Sequence, residues 1–309
     1  MTHEPIHHLL SAKDLPPESI EYLFSRTEAF KRMRGILPAD EKALDRETVT
    51  NIFWEASTRT RVSFQMAAWR MGARVVNIAP STSSVTKGET LDDTIATLRA
   101  LGCRYFVIRH ATSGEPARLA MNAGREAHVL NAGDGTNEHP SQALLDAFTI
   151  RERKKSFNGL QVAILGDILR SRVARSNLHL LSQLGAKCRV SGPAGLLPER
   201  LDVPQGTIVK TADEAIRGAD VVMVLRLQKE REGKIVVDEA DYRKNFSLTP
   251  QRLELAHPDA IVLHPGPINR GIEIDSSVAD GPRSMILRQV ENGLFMRMAI
   301  FELLRGEER

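Results

Sequence analysis

Residues 51–61 read Asn-Ile-Phe-Trp-Glu-Ala-Ser-Thr-Arg-Thr-Arg, and this stretch decides the fold. Its first residues are apolar, as in a buried strand, and apolar residues recur at helical spacing over 64–71. The pattern predicts a strand, a polar turn and a helix that begins at Ser57 or Thr58. A helix start presents unpaired backbone N–H groups and a positive dipole end, and two arginines add charge. The turn is therefore a candidate anion site, with an ordinary capped helix and solvated arginines as the alternative.

Length and composition limit the possible classes of protein. The chain has 309 residues, which favours two domains. Its net charge of +3 is spread along the chain and aromatic residues make up only 5%, so a nucleic-acid partner is not expected. Cys103 and Cys188 are too few for a disulfide framework and lack metal-ligand spacing. Without a signal-like start or a membrane-length apolar run, we expect a soluble, cytoplasmic protein with no membrane partner.

Strands and helices alternate along the whole chain. In the first half, strands are predicted at 49–54, 75–78, 105–108 and 128–130. Helices are predicted from residue 15 up to Gly35 and over 89–101, 115–123 and 139–154. In the second half, strands are predicted at 160–165, 188–190, 207–209, 220–225 and 260–263, and helices over 171–184, 250–256 and 284–304. This order predicts an α/β fold in which each of two domains is a parallel sheet flanked by helices.

The domain boundary is predicted at the charged run 151–159, which ends in glycine and precedes a very apolar strand. The run itself is typical of a solvated helix end. The first domain then spans residues 1–150 and the second spans 151–283, with residues 284–309 as a final helix. The apolar face of that helix is predicted to carry Leu287, Val290, Leu294, Met298 and Phe301.

Nearly every unusual polar cluster follows the carboxyl end of a predicted strand, where ligands of parallel sheets bind. These clusters are residues 57–61, 81–87, 109–110, 133–139, 166–172, 226 and 264–267. The cationic groups among them are Arg59, Lys87, Arg109, His139, Arg172 and Arg226. We expect the two sheets to direct these cations into one cleft that takes small polyanions, because the planar guanidinium matches phosphate and carboxylate oxygens in pairs.

The sequence offers little other chemistry. No zinc spacing and no Walker loop is present, and Gly166 stands alone where a dinucleotide fingerprint needs three glycines, so no cofactor and no metal are expected. Each cluster also has a structural alternative. Residues 81–84 could be a polar loop without a role, Lys87 could be a surface lysine, and His139 could be part of a helix cap with proline in the first turn. His110, His128 and His257 are interpreted as structural.

Five motifs carry a resemblance that covers nearly the whole chain. They are Ser-Thr-Arg-Thr-Arg at 57–61, Val-Thr-Lys-Gly-Glu-Thr at 85–90, His-Pro-Ser-Gln at 139–142, Arg-Leu-Gln-Lys-Glu-Arg at 226–231 and His-Pro-Gly-Pro at 264–267. The sequence resembles the aspartate and ornithine carbamoyltransferases, and within them the aspartate branch. The resemblance implies transfer of the carbamoyl group of carbamoyl phosphate to L-aspartate, in pyrimidine synthesis. It also implies that the last helix packs back on the first domain.

The resemblance assigns roles to residues at matching positions. The implied catalytic residues are Arg59, Thr60, Lys87, Arg109 and His139. The implied carbamoyl-phosphate-binding residues are Ser57, Thr58, Arg59, Thr60, Arg109, His139, Gln142, Gly266 and Pro267. The implied aspartate-binding residues are Lys87, Arg172, Arg226 and Gln228. Glu55 is implied to pair with Arg172 and Arg231.

The assembly and the second substrate also follow from the resemblance. It implies a homotrimer in which Ser83 and Lys87 enter the site of the adjacent chain. Ornithine enzymes typically have cysteine in the loop that here reads His-Pro-Gly-Pro, and two arginines near the second substrate favour a dicarboxylate over a cationic amino acid. Residues 171–176 differ from the enteric enzymes that carry regulatory chains, which favours the variant without them. Association with dihydroorotase or with regulatory chains is kept as an alternative. A non-catalytic binding protein for anionic metabolites remains a possibility on the residues alone.

Overall fold

Two parallel sheets organise the described residues of the computed structural model, which are 6–38, 41–79, 89–227 and 238–306. The chain divides into two units. The first contains Met1–Leu145 and Glu291–Arg309, and the second contains Asp146–Val290. The predicted α/β class with two parallel sheets and flanking helices is confirmed.

The sheet of the first unit has four strands in the order β2-β1-β3-β4. The strands are β1 Thr48–Phe53, β2 Arg74–Ile78, β3 Tyr105–His110 and β4 His128–Asp134. The helices that precede or connect them are α1 Pro17–Arg32, α2 Thr58–Arg70, α3 Leu91–Ala100 and α4 Glu115–Asn122. Helix α5, Pro140–Lys154, follows β4 and leads into the second unit.

The sheet of the second unit has five strands in the order β7-β6-β5-β8-β9. The strands are β5 Gln161–Leu165, β6 Lys187–Ser191, β7 Gly206–Ile208, β8 Val221–Val224 and β9 Ile261–Leu263. The helices are α6 Arg172–Gln183, α7 Ala212–Ile216, α8 Glu239–Phe246, α9 Pro250–Leu253 and α10 Ser276–Ala279. Every residue of β8 is buried, as is usual for a strand covered on both faces.

The last helix, α11, spans Ile286–Arg305 and packs on the first unit, as the resemblance implies. The Phe301 ring lies edge-on to the Phe64 ring at 6.0 Å. The Arg26 guanidinium donates two hydrogen bonds to the Glu302 carboxylate, at 2.6 and 2.8 Å. Burial over 295–304 is nearly continuous, so this part of the helix belongs to the core of the first unit.

The predicted apolar face of this helix is wrong at its amino end. Leu287 is 83% exposed and Val290 is 51% exposed, whereas Met298 and Phe301 are buried. The helical period places all five residues on one stripe, but close packing of the apolar residues begins after residue 292, and before it the buried residue of the helix is the polar Gln289. Helices α7, α8 and α10 were also not predicted. Helices α7 and α10 have five and four residues, which is too short to show a helical repeat, and α8 is largely charged, with Tyr242 as its one buried residue.

An N-terminal segment lies along the edge strand β4, where three histidines meet. Leu9 pairs with Leu130, and the Val129 N–H donates to His8 Nδ1 at 3.1 Å. The His7 ring lies 4.4 Å from the His8 ring and 4.7 Å from the His128 ring. Burial, followed by the charges of the two other histidines, lowers the pKa of His8 from 6.5 to about 4.

This cluster predicts a loss of stability in acid. The folded protein keeps His8 neutral, so the unfolded chain binds more protons between pH 6.5 and about 4, and stability falls as the pH falls through that window. We expect His8→Asn, whose side-chain oxygen can accept the Val129 N–H without titrating, to melt like the wild type at about pH 7.5 and higher than the wild type at about pH 5. Thermal melts at both pH values test this. An equal shift of both proteins between the two pH values would contradict it.

Candidate active site

The turn after β1 lies at the switch point of the first sheet, between β1 and β3. Ser57 occupies the N-cap position of α2, in an extended conformation, and its side chain makes no capping hydrogen bond to that helix. Its carbonyl accepts the Arg61 N–H at 3.1 Å. Thr60 is 8% exposed, and the first turn of α2 contains no acidic residue. The helix start thus combines a positive dipole end with a Ser57 hydroxyl that is not used for capping.

Arg109 lies near the end of β3, directly beside Phe53 of β1. The sequence pattern ended this strand at residue 108, but the structure extends it to His110. The Arg109 side chain donates to the Ala132 carbonyl at 3.2 Å, and its other terminal nitrogen lies 3.3 Å from a Glu55 carboxylate oxygen. With 13% of its side chain exposed, Arg109 is held at the switch point as a well-oriented cation.

A buried carboxylate shapes the loop that follows β4. Asp134 is 1% exposed, and its oxygens accept four hydrogen bonds. The donors are the backbone N–H groups of Gly114 at 2.6 Å and Glu138 at 3.0 Å, and the side-chain amides of Asn131 at 2.9 Å and Asn137 at 3.0 Å. These bonds fix the short loop between β4 and α5. Sequence reasoning did not identify Asp134 as a structural element of the site.

His139 is the last residue of that loop and precedes α5. Its carbonyl accepts the N–H groups of Gln142 at 3.0 Å and Ala143 at 3.3 Å, so His139 takes the cap position, with Pro140 first in the helix. The side chains of His139 and Gln142 are mostly buried, with exposures of 4% and 8%. The structural alternative of a helix cap is therefore correct for the His139 backbone, and it leaves the role of the imidazole open.

The second sheet has its switch point between β5 and β8. Arg172 is the first residue of α6 and is 6% exposed, and the Ser171 hydroxyl caps that helix by accepting the Ala174 N–H at 3.1 Å. Arg226 follows β8 by two residues. Arg172 and Arg226 thus follow the carboxyl ends of two neighbouring strands, β5 and β8.

The turn at 264–267 follows β9 in the same unit. The His264 Nε2 lies 3.2 Å from a Glu273 oxygen, and both side chains are fully buried. Gly266 has a φ of +66°, which a glycine adopts without strain. Glu273 was not predicted from sequence, because its distance of nine residues from His264 fits no helix or strand repeat.

The structure places eleven of the predicted site residues at carboxyl strand ends, in the turns that follow them, or in the first turn of the next helix. In the first unit these are Ser57, Thr58, Arg59, Thr60, Arg109, His139 and Gln142. In the second unit these are Arg172, Arg226, Gly266 and Pro267. Ser83, Lys87, Gln228 and Arg231 lie outside the described residues. The roles assigned to all these residues stay predictions, as does the pairing of Glu55 with Arg172 and Arg231.

Within the described ranges, the one group of three side chains that could hold a metal ion is Asp220, His257 and Asp259. Asp220 and Asp259 precede β8 and β9, so the group lies at the amino edge of the second sheet. The Lys154 ammonium is 2.7 Å from an Asp259 oxygen, which already supplies positive charge there. No described helix is long and apolar enough to cross a membrane.

Comparison with family models identifies both halves of the chain. Residues 7–152 match the aspartate/ornithine carbamoyltransferase carbamoyl-P binding domain. Residues 158–304 match the aspartate/ornithine carbamoyltransferase Asp/Orn binding domain. The first match contains the switch point with Arg109, and the second contains the switch point with Arg172 and Arg226.

Relatives and solved structures agree with these matches. The chain is 50% identical to the aspartate carbamoyltransferase catalytic subunit of Moorella thermoacetica, over 96% of this chain and 97% of the relative. It is 48% identical to that of Syntrophotalea carbinolica, over 98% and 96%.

Solved structures of both branches of the family superpose on the chain. The aspartate transcarbamoylase of Trypanosoma cruzi, in complex with carbamoyl aspartate and phosphate, has a TM-score of 0.83 at 31% identity, covering 97% of this chain and 98% of its own. The ornithine carbamoyltransferase of Pyrococcus furiosus has a TM-score of 0.86 at 27% identity, covering 98% of each chain. The chain belongs to the aspartate/ornithine carbamoyltransferase family.

Proposed function

We propose that this protein transfers the carbamoyl group of carbamoyl phosphate to the amine of L-aspartate, giving N-carbamoyl-L-aspartate and phosphate in pyrimidine synthesis. The observation that carries the proposal is the placement of Arg172 and Arg226 after the carboxyl ends of two neighbouring strands, in the unit that matches the Asp/Orn binding domain. Two guanidinium groups suit the two carboxylates of aspartate. The cationic side chain of ornithine would be repelled there.

Relatives support the same choice. Fold similarity does not separate the two branches, since a solved ornithine enzyme superposes as well as an aspartate enzyme. Sequence does separate them, because relatives at 48 to 50% identity are aspartate carbamoyltransferase catalytic subunits. Aspartate is therefore favoured over ornithine as the second substrate.

The phosphate group is assigned to the start of α2. Ser57, Thr58 and Thr60 supply hydroxyls, and Arg59 and Arg109 supply charge, next to backbone N–H groups of the first helical turn. The carbamoyl group is assigned to His139, Gln142 and the backbone of Gly266 and Pro267. Lys87, Arg172, Arg226 and Gln228 are assigned to aspartate.

The reaction needs only polar groups that are held in fixed positions around the substrates. The aspartate amine attacks the carbamoyl carbon, the bond from that carbon to the bridging phosphate oxygen breaks, and the amine loses a proton that the leaving phosphate can accept. Negative charge develops on the carbamoyl oxygen during attack. Thr60, Arg109 and His139 would stabilise that charge as fixed donors, and such preorganised donors often account for most of the rate acceleration in acyl-transfer enzymes.

Phosphate release tests the proposal. We expect phosphate to appear when the protein is mixed with carbamoyl phosphate and L-aspartate, and not with either alone beyond the spontaneous rate. A chelator in the assay should leave the rate unchanged. A binding protein for anionic metabolites would bind one substrate tightly and release no phosphate, and that result would exclude the enzyme.

The contact between Glu55 and Arg109 gives a further prediction. Glu55 and a bound phosphate would compete for the same guanidinium, so Glu55→Gln should bind carbamoyl phosphate as tightly as the wild type or more tightly. The same variant should use aspartate less well, because the resemblance assigns Glu55 to the arginines of the second substrate. Calorimetry and steady-state kinetics measure both effects.

A matched control is Glu126→Gln, which removes an exposed glutamate that lies 3.9 Å from Arg104. This control variant should change neither the affinity for carbamoyl phosphate nor the use of aspartate. If Glu55→Gln binds carbamoyl phosphate more than about tenfold more weakly, Glu55 holds Arg109 in its binding pose instead of competing with the ligand.

We also propose that the working assembly is a homotrimer with shared sites, in which Ser83 and Lys87 serve the adjacent chain. Strand β2 is an edge strand that leads into residues 80–88, and it carries Val76 with 40% exposure. Trp69, near the end of α2, is 51% exposed. An exposed apolar edge of this kind suits a subunit interface. A cytoplasmic location stays a prediction, and association with dihydroorotase or regulatory chains stays an alternative.

Hybrid trimers test the shared site. When trimers of Lys87→Ala and of Arg59→Ala are dissociated, mixed and re-formed, some interfaces bring an intact Arg59 together with an intact Lys87 from the next chain. We expect these hybrids to regain part of the activity that both parents lack. Native mass spectrometry verifies the exchange. Verified hybrids with only parental activity would show that Lys87 serves its own chain or no site.

A further inference from the structure

The turn at 265–267 presents backbone acceptors and has no backbone donor to offer. Pro265 and Pro267 carry no N–H group. The remaining N–H of the turn, that of Gly266, donates to His264 Nδ1 at 2.8 Å. His264 therefore covers the single backbone donor of this turn, whose other backbone polar groups are carbonyl oxygens.

The position of the hydrogen on the His264 ring follows from the two neighbours of its nitrogens. Nε2 faces a Glu273 oxygen at 3.2 Å, and that oxygen also accepts the Asn269 N–H at 2.6 Å. Because Nδ1 accepts the Gly266 N–H, it keeps its lone pair, and the hydrogen of the ring lies on Nε2, where it can be donated to that Glu273 oxygen. A hydrogen on Nδ1 would instead point at the Gly266 N–H, and two donors that face each other cannot form a hydrogen bond.

A buried polar chain holds the backbone of His264 as well. Its N–H donates to Gln289 Oε1 at 2.9 Å, and Gln289 Nε2 donates to Asp146 Oδ1 at 2.7 Å. The second oxygen of Asp146 accepts from Asn177 at 2.9 Å, and Asn177 lies on α6, the helix that Arg172 begins. Gln289, Asp146 and Asn177 are each at most 2% exposed. His264 is thus held at its backbone and at both ring nitrogens.

The hydrogen-bonding groups of carbamoyl phosphate are complementary to the carbonyl acceptors of the 265–267 turn. A carbamoyl group has an NH₂ with two donors, whereas an acetyl group of the same shape has a methyl group with none. We propose that His264, held in its Nε2–H tautomer by Glu273, is a positioning and specificity residue that makes the 265–267 turn a surface of acceptors for the carbamoyl NH₂. The inference rests on the proposed function.

A matched pair of variants separates this role from a structural one. His264→Asn keeps an acceptor near the Nδ1 position and loses the donor to Glu273. His264→Gln keeps a donor near the Nε2 position and loses the acceptor for Gly266. Each variant breaks one hydrogen bond in the same buried place, so a purely structural role would affect both alike.

The measured quantity is the ratio of the affinities for carbamoyl phosphate and acetyl phosphate, by calorimetry on the intact protein. We expect the wild type and His264→Asn to prefer carbamoyl phosphate to a similar degree. In His264→Gln the exposed Gly266 N–H opposes the carbamoyl NH₂, and the preference should fall about tenfold, the size of one neutral hydrogen bond. Equal ratios in the two variants would overturn the inference. Failure of the wild type to bind carbamoyl phosphate would instead refute the proposed function.

A neutron structure of the wild type provides a test that needs no variant. Deuterium on Nε2 of His264 and none on Nδ1 is the expected result. Deuterium on Nδ1 would overturn the inference, because the Gly266 N–H would then not be covered.

Discussion

Replacing His139 by alanine is expected to lower kcat by about 100-fold or more while carbamoyl-phosphate affinity changes little. The reason is that the imidazole would donate to the carbamoyl oxygen mainly when charge develops there, in the transition state. Phosphate binding at the start of α2 does not need this donor. Stopped-flow or steady-state turnover, with calorimetry for binding, separates the two effects.

Two further variants sharpen this test. His139→Gln keeps an amide donor and should recover part of the lost turnover. His110→Gln is the matched control, since His110 ends the neighbouring strand and its Nδ1 accepts the Thr112 N–H at 3.0 Å. It should retain turnover. Unaltered turnover in His139→Ala would remove His139 from the chemistry, and a loss confined to binding would make it a phosphate ligand only.

Replacing Arg226 by alanine should lower kcat/KM for aspartate by about 100-fold or more and leave carbamoyl-phosphate binding unchanged. Removal of one partner of a desolvated, hydrogen-bonded charge pair costs about 2–5 kcal/mol, and each 1.4 kcal/mol is about tenfold. Arg226 lies two residues after β8, in the unit that matches the Asp/Orn binding domain, whereas the proposed phosphate site is in the first unit.

Arg175→Ala is the control for this prediction. Arg175 is an exposed arginine in the first turn of α6, close in sequence to Arg172, so the variant makes the same chemical change on the same unit. It should keep wild-type kinetics. If Arg226→Ala instead weakens carbamoyl phosphate and spares aspartate, the assignment of substrates to the two switch points is reversed.

Much of the fold could be predicted because the apolar strands and helix periods are strong local signals. Each predicted strand is present in the structure. The ends of strands were predicted less well. Strand β4 continues to Asp134 because that side chain gathers four donors and so stabilises an extended segment that its polar composition does not indicate.

The candidate site could be predicted where it depends on strand order. A parallel sheet brings the carboxyl ends of its strands to one edge, so the polar residues that follow the strands reach that edge without any knowledge of distances. Arg109 and the turn at 57–61 illustrate this, since β1 and β3 are neighbours at a switch point.

The supporting residues of the site could not be predicted in the same way. Glu273 and Asp134 accept hydrogen bonds from backbone N–H groups and from histidine or asparagine side chains inside the core, and no helix or strand repeat marks such contacts. Glu138 accepts from the Ser11 hydroxyl at 3.0 Å across a separation of 127 residues. A buried carboxylate can be recognised only in a structure, because the structure shows the donors that surround it.

The central claim is that the second substrate is aspartate, and one measurement tests it directly. The purified protein is given carbamoyl phosphate with equal concentrations of L-aspartate and L-ornithine, and the products are identified by mass spectrometry and compared with the phosphate released. We expect N-carbamoyl-L-aspartate in equal amount to the enzyme-dependent phosphate, and no citrulline. Citrulline as the main product would contradict the account, and so would phosphate release without any carbamoylated amino acid.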